Sequence, residues 1–132
     1  MTYDYRFDPD APWPVVRGVI SGPKGALSIR LVLDSGAHKT QLNRGTMIAL
    51  GFREQAKTRE AFSVGVGGAR ERGFEVIVPR FFVLGRKFAE TPVSVFEMPY
   101  LEGDRVDGLL GWDLIRQFHF ELNGPAGVLK VY

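Results

Sequence analysis

Leu31-Val32-Leu33-Asp34-Ser35-Gly36-Ala37 is the stretch on which the reading of this chain turns. An apolar run passes directly into an acid, a hydroxyl and two small residues. Aspartate is disfavoured inside strands, so the strand ends at Asp34 and a tight loop begins there. Gly36 lets backbone N–H groups come close to the Asp34 carboxylate. Taken alone, Asp-Ser-Gly is a weak motif. An aspartate bonding its own turn accounts for it equally well.

On either side of this stretch the apolar pattern has period two, which reads as strands. Residues 15–20 and 26–33 flank the turn-rich Ser21-Gly22-Pro23-Lys24-Gly25, a hairpin connection. Leu27, Ile29, Leu31 and Leu33 share one face of the second strand, with Ser28 and Arg30 on the other. Residues 44–50 read as a short helix, with Asn43 as N-cap and Gly51 as its stop. Residues 61–66 and 73–78 read as strands around the glycine-rich tip Gly65-Val66-Gly67-Gly68, and 81–84 with 87–96 as a hairpin turning at Gly85-Arg86. Leu110, Leu114, Ile115 and Phe118 have the spacing of one helical face, predicting a helix of about two turns. Trp112 reads as core. Asn123-Gly124-Pro125 then turns the chain into a last strand over 128–132. Residues 1–12, with three Asp and two Pro, read as a loose arm, and 13–132 as a single domain. The expected class is all-β with one or two short helices.

With 132 residues there is room for one such domain and not for a two-lobed enzyme. The absence of cysteine excludes a disulfide scaffold, a thiol nucleophile and cysteine zinc sites. Two histidines, His38 and His119, do not make a histidine-rich metal site, so no metal and no cofactor is expected. His119 reads as a surface or satisfied residue. The net charge of +2 comes from 17 basic and 15 acidic residues with their signs interleaved, unlike the basic stripe of a nucleic-acid binder. No secretory leader and no membrane-spanning run is evident, so a cytoplasmic location is the default expectation.

The second informative segment is Asp107-Gly108-Leu109-Leu110-Gly111-Trp112-Asp113. Gly111 suits a place where another loop passes close to the backbone. On their own, Asp107 reads as a turn residue and Asp113 as an acid in a first helical turn. Together with the Asp34 stretch, this segment resembles the retropepsin-like aspartic proteases, the single-lobed family that includes retroviral proteases. Asp34-Ser35-Gly36-Ala37 is similar to the family's catalytic loop, and Gly65-Val66-Gly67-Gly68 to its flap tip. Leu109-Leu110-Gly111 before a short helix is similar to the element closing its second loop. The run from Asp107 to Asp113 follows the pattern of the bacterial branch.

The resemblance implies a closed β-barrel-like acid-protease fold and an endopeptidase acting on peptide or protein substrates. Asp34, Ser35 and Gly36 would be catalytic, and Ala37, Gly65, Val66, Gly67, Gly68, Leu109 and Leu110 would line the substrate. One Asp-Ser-Gly per chain implies a homodimer, with the second carboxylate supplied by Asp34 of a symmetry mate. Two carboxylates about 3 Å apart share a proton and divide into acid and base. Ser35 would lock the two loops through its hydroxyl. Two-lobed relatives often carry a hydroxyl residue where Ala37 stands, and its loss implies an optimum near about pH 5–7. His38 and Lys39 occupy places where retroviral members carry acids, so His38 reads as a polar rim residue. Two other readings stay open: a catalytically silent dimeric binding or scaffold module, and a monomeric site pairing Asp34 with Asp107 or Asp113, with or without a divalent metal.

Overall fold

β2 (Val15–Gly22) and β3 (Gly25–Leu33) pair antiparallel from Val15↔Val32 to Gly22↔Gly25. In this computed structural model, which describes residues 2–55, 59–64, 68, 70–98 and 105–132, that hairpin is the start of a barrel. The turn at Pro23-Lys24 ends on Gly25, whose φ of 120° an L side chain rarely adopts. Ile29 and Leu31 are fully buried in the main core, whereas Leu27, near the turn, is 37% exposed. The predicted face therefore holds only toward the Asp34 end of the strand.

β4 (Gln41–Asn43) leads into α1 (Arg44–Ala49). Asn43 is at the N-cap with extended backbone, but its side chain forms no capping bond; Gly51, with a φ of 92°, follows the helix as its stop. β5 (Glu60–Val64) pairs with the start of β6 (Arg70–Val83) from Glu60↔Phe74 to Val64↔Arg70. The hairpin predicted around the glycine-rich tip is thus present. Gly65, Val66 and Gly67 lie outside the described residues.

β6 corrects the sequence reading, which divided it into two strands. Pro79 has no N–H to give, yet the register with β7 (Arg86–Phe96) continues on both sides of it, Val78↔Thr91 and Arg80↔Ala89. Only the Pro79 position, opposite Glu90 with its φ of 49°, drops out of the pairing. The β6–β7 turn falls at Leu84-Gly85, both with positive φ as a two-residue hairpin turn requires, one residue earlier than predicted.

β8 (Gly108–Leu110), α2 (Trp112–Ile115), β9 (Phe120–Asn123) and β10 (Val128–Val131) complete the described elements. The order β2-β3-β8-β4-β7-β6 closes on itself because Gly18–Ile20 of β2 also pairs with Phe81–Val83 of β6. The result is a closed six-stranded barrel, mostly β, with two short helices. Its core holds Ile20, Ile29, Leu31, Leu42, Phe81 and Leu110, each fully buried, and each such side chain contributes about 1.5–3 kcal/mol. A smaller cluster of Val32, Phe96, Met98 and Val106 covers the other face of β3. The segment leading into Asp34 is therefore clamped from both sides.

Two further expectations change. Residues 3–6 are not loose: β1 (Tyr3–Arg6) pairs with β10 from Tyr3↔Val131 to Arg6↔Val128, forming a separate sheet β1-β10-β9. Tyr5 and Phe7 pack against the main core, which outweighs the polar residues between them. The terminal helix is one turn rather than two, because Leu110 is spent on β8; Gln117 and Phe118 donate tightened bonds to Leu114 O and Ile115 O. Leu114 and Ile115 face inward, so Trp112 on the opposite side is 47% exposed and not core.

Candidate active site

The loop 34–40 leaves β3 and returns in β4, and β8 is inserted between those two strands. β8 runs parallel to β3, with Leu33↔Leu110, and antiparallel to β4, with Gln41↔Leu109. Side chains at two positions, the first residue of β8 and the residue after its end, would block this arrangement. A Cβ on Gly108 would meet the Gln41 backbone and lie 3.0 Å from Leu42 Cα. One on Gly111 would meet Lys39 and lie 2.7 Å from Thr40 N. The glycine expected to admit a passing loop does so.

Backbone bonds fix Asp34 at the strand's end. Leu33 N donates to Pro14 O at 2.9 Å, and Asp34 N to Leu110 O at 3.0 Å. Ala37 N donates to Asp34 O at 3.2 Å, closing the turn, and Trp112 N to Ala37 O at 2.7 Å. Gly36 N donates to Asp34 Oδ1 at 2.9 Å. The carboxylate is half-buried, while Ser35, Gly36 and His38 are exposed. Asp34, Ser35, Gly36, Ala37, Leu109 and Leu110 thus come together on one loop and the strand beside it. Of the flap residues, Gly68 is described: it is exposed, with a φ of 85°.

The two other aspartates are committed to scaffolding. Asp113 Oδ1 accepts from Thr40 N at 2.9 Å, Thr40 Oγ1 at 2.8 Å and Leu114 N at 3.0 Å. Thr40 Oγ1 in turn accepts from Gly111 N at 3.1 Å. Asp107 Oδ2 accepts from Arg30 N at 2.8 Å and its Oδ1 from Thr46 Oγ1 at 2.9 Å, tying β3 to α1. Asp107 N donates to Arg30 O, which sets Asp107 beside Arg30, four residues and about 13 Å along β3 from Asp34. Asp107 therefore cannot share a proton or a metal with Asp34, and Asp113 is bound to the far end of the loop. Among the described residues no group of three His, Asp or Glu could hold a metal ion. Thr40, fully buried, is the residue that sequence reasoning missed. Only its place between a polar loop and β4 hinted at it.

The sequence profile of the family described as aspartyl protease matches residues 16–114. The chain belongs to the aspartyl protease family. The matched span takes in the Asp34 loop, β8 and the start of α2. A retropepsin-like aspartic protease from Rickettsia conorii superposes with a TM-score of 0.70 at 17% identity, covering 99% of this chain and 89% of that one. EIAV protease, solved in complex with the inhibitor HBY-793, superposes at 0.60 with 21% identity, covering 82% of this chain and 89% of that one. Likeness at such identities establishes the retropepsin-like fold of this family member. No curated relative matches its sequence. No helix among the described residues is long and apolar enough to cross a membrane.

Proposed function

We propose that this aspartyl protease is an endopeptidase that works as a homodimer. Water held between Asp34 and Asp34 of a second copy is the nucleophile. The ionised member of the pair takes a proton from water as it attacks a peptide carbonyl, and the protonated member donates to the carbonyl oxygen. Ser35 holds the paired loops, and Gly36 donates to the carboxylate. Ala37, the tip 65–68 and Leu109 with Leu110 line the substrate.

One observation carries this reading. Asp34, half-buried, is held by backbone bonds with Gly36 N on Oδ1, and Asp107 and Asp113 are engaged elsewhere. A lone carboxylate is half of an acid–base pair, and a twofold axis supplies the other half without a second motif in the chain.

The test is an unbiased peptide library incubated with the wild type and with Asp34→Asn at several pH values, with and without a statine-type inhibitor, alongside sedimentation. Cleavage that the inhibitor blocks and Asp34→Asn abolishes, from a sedimenting dimer, supports the proposal. Cleavage that survives Asp34→Asn overturns it. A dimer with no cleavage of any library member identifies the silent binding module instead.

A further inference from the structure

Arg17 and Arg30 are direct cross-strand partners in the β2–β3 pair, and both are exposed on its outer face. Like charges placed opposite each other destabilise a sheet, and a fold with no use for the pair gains by replacing either one. Neither guanidinium meets a carboxylate among the described residues, where the ion pairs are Arg44–Glu97 and Arg72–Glu60.

The two arginines line a groove of about 580 Å³ together with Arg6, and Asp8 is the acid among its lining residues. Trp13, Phe82 and Val19 give it apolar surface as well. The groove also runs along backbone. β2 pairs with β6 only over Gly18–Ile20, so Val15–Arg17 has β3 on one side and, among the described residues, no strand on the other. Val15, Val16 and Arg17 all line the groove.

We propose that this groove is a docking site for an extended acidic peptide segment of a protein partner, separate from the Asp34 loop. The segment would lie against the open flank of β2, its acidic side chains answering Arg6, Arg17 and Arg30 and its alternate apolar side chains meeting Trp13 and Phe82. Charge complementarity selects the occupant: three cations against one acid attract an anionic strand and repel a basic one.

The test uses the Asp34→Asn variant of the 132-residue chain, so that binding is read apart from turnover. Fluorescence anisotropy follows three labelled hexapeptides, with Glu, Gln or Lys alternating with Val, and an oligo-dT of matching length. Binding of the Glu peptide that is weakened by salt, with at least tenfold weaker binding of the Gln and Lys peptides, supports the site. Arg17→Gln/Arg30→Gln should weaken Glu-peptide binding at least tenfold while its melting temperature holds or rises, because the cross-strand repulsion is gone. Unchanged affinity in that variant overturns the proposal. So does absence of Glu-peptide binding at millimolar concentration, or tighter binding of the oligo-dT. Failure of the library cleavage test above leaves this result unaffected, because no catalytic step enters it.

Discussion

Asp113 and Thr40 close the Asp34 loop through one carboxylate oxygen: Asp113 Oδ1 accepts from both the backbone N–H and the hydroxyl of Thr40, at 2.9 and 2.8 Å. The hydroxyl then accepts from Gly111 N, so two segments far apart in sequence, one at Thr40 and one at Gly111–Asp113, meet at a fully buried side chain. Thr40→Val keeps the shape and removes the hydroxyl, leaving a buried N–H on Gly111 unsatisfied. We expect a loss of about 1–3 kcal/mol in urea unfolding. Asp113→Asn, which keeps one acceptor oxygen, should cost less than Asp113→Ala. Equal stability of Thr40→Val and wild type would show that the network contributes nothing.

Gly111→Ala and Gly36→Ala should separate scaffold from chemistry. The Gly111 Cβ would run into the backbone of Lys39 and Thr40, which cannot move without displacing the loop. We expect about 1–3 kcal/mol of destabilisation, or more, in the same unfolding measurement. The Gly36 Cβ would meet only Asp34 Oδ1, at 3.2 Å. Its melting temperature should stay near that of the wild type while peptide turnover falls about 10–100-fold, since small misplacements of a reacting group are costly. Normal turnover in Gly36→Ala would detach Gly36 from the site.

How much of this was legible beforehand depended on sequence distance. The Asp34 stretch, the 15–33 hairpin and the glycine at 111 each announce themselves within a few residues, through a strand that stops at an acid or a small residue where bulk is expected. The insertion of β8 between β3 and β4 does not, because its register rests on backbone bonds between segments some 75 residues apart, as in Asp107 N to Arg30 O. The same holds for β1. The alternation of Tyr3 and Tyr5 within it and Phe7 just after it is a strand signal, but the Asp and Pro residues that follow obscure it and the partner strand is at the other end of the chain. The exposure of Trp112 is not legible in the sequence, because hydrophobicity alone does not say which side of a single helical turn faces inward.

Tyr5 makes stability depend on alkaline pH. Burial, with a smaller contribution from Tyr3, raises its pKa above the ordinary 10.0. The folded state holds the phenol proton more tightly than the unfolded chain does, so the stabilisation is complete below the unfolded value and is lost as pH rises through the folded one. Thermal melts across about pH 9–12 should show a decline that Tyr5→Phe makes shallower. Parallel declines in the two proteins would remove Tyr5 as the cause.

Ala37 bears on the acid side. If the proposed dyad works without a neighbouring side-chain hydroxyl, peptide turnover should peak near about pH 5–7. Ala37→Thr restores a hydroxyl and should move the peak toward lower pH in a profile of kcat/KM. A wild-type maximum below about pH 4 contradicts this account of the dyad.

Mixing wild type with Asp34→Asn tests whether each active unit needs two Asp34 carboxylates. Both chains keep the fold and the loop bonds, so copies should exchange freely if they pair at all. At equal amounts, random pairing places half of the wild-type chains opposite a variant, and those pairs lack the second carboxylate. Activity per wild-type chain should therefore fall to about half after exchange, and toward zero with excess variant. A monomeric site predicts no change at any ratio, because each wild-type chain would carry its whole chemistry alone. The dependence on mixing ratio thus separates a shared dyad from a self-sufficient carboxylate, whatever the substrate.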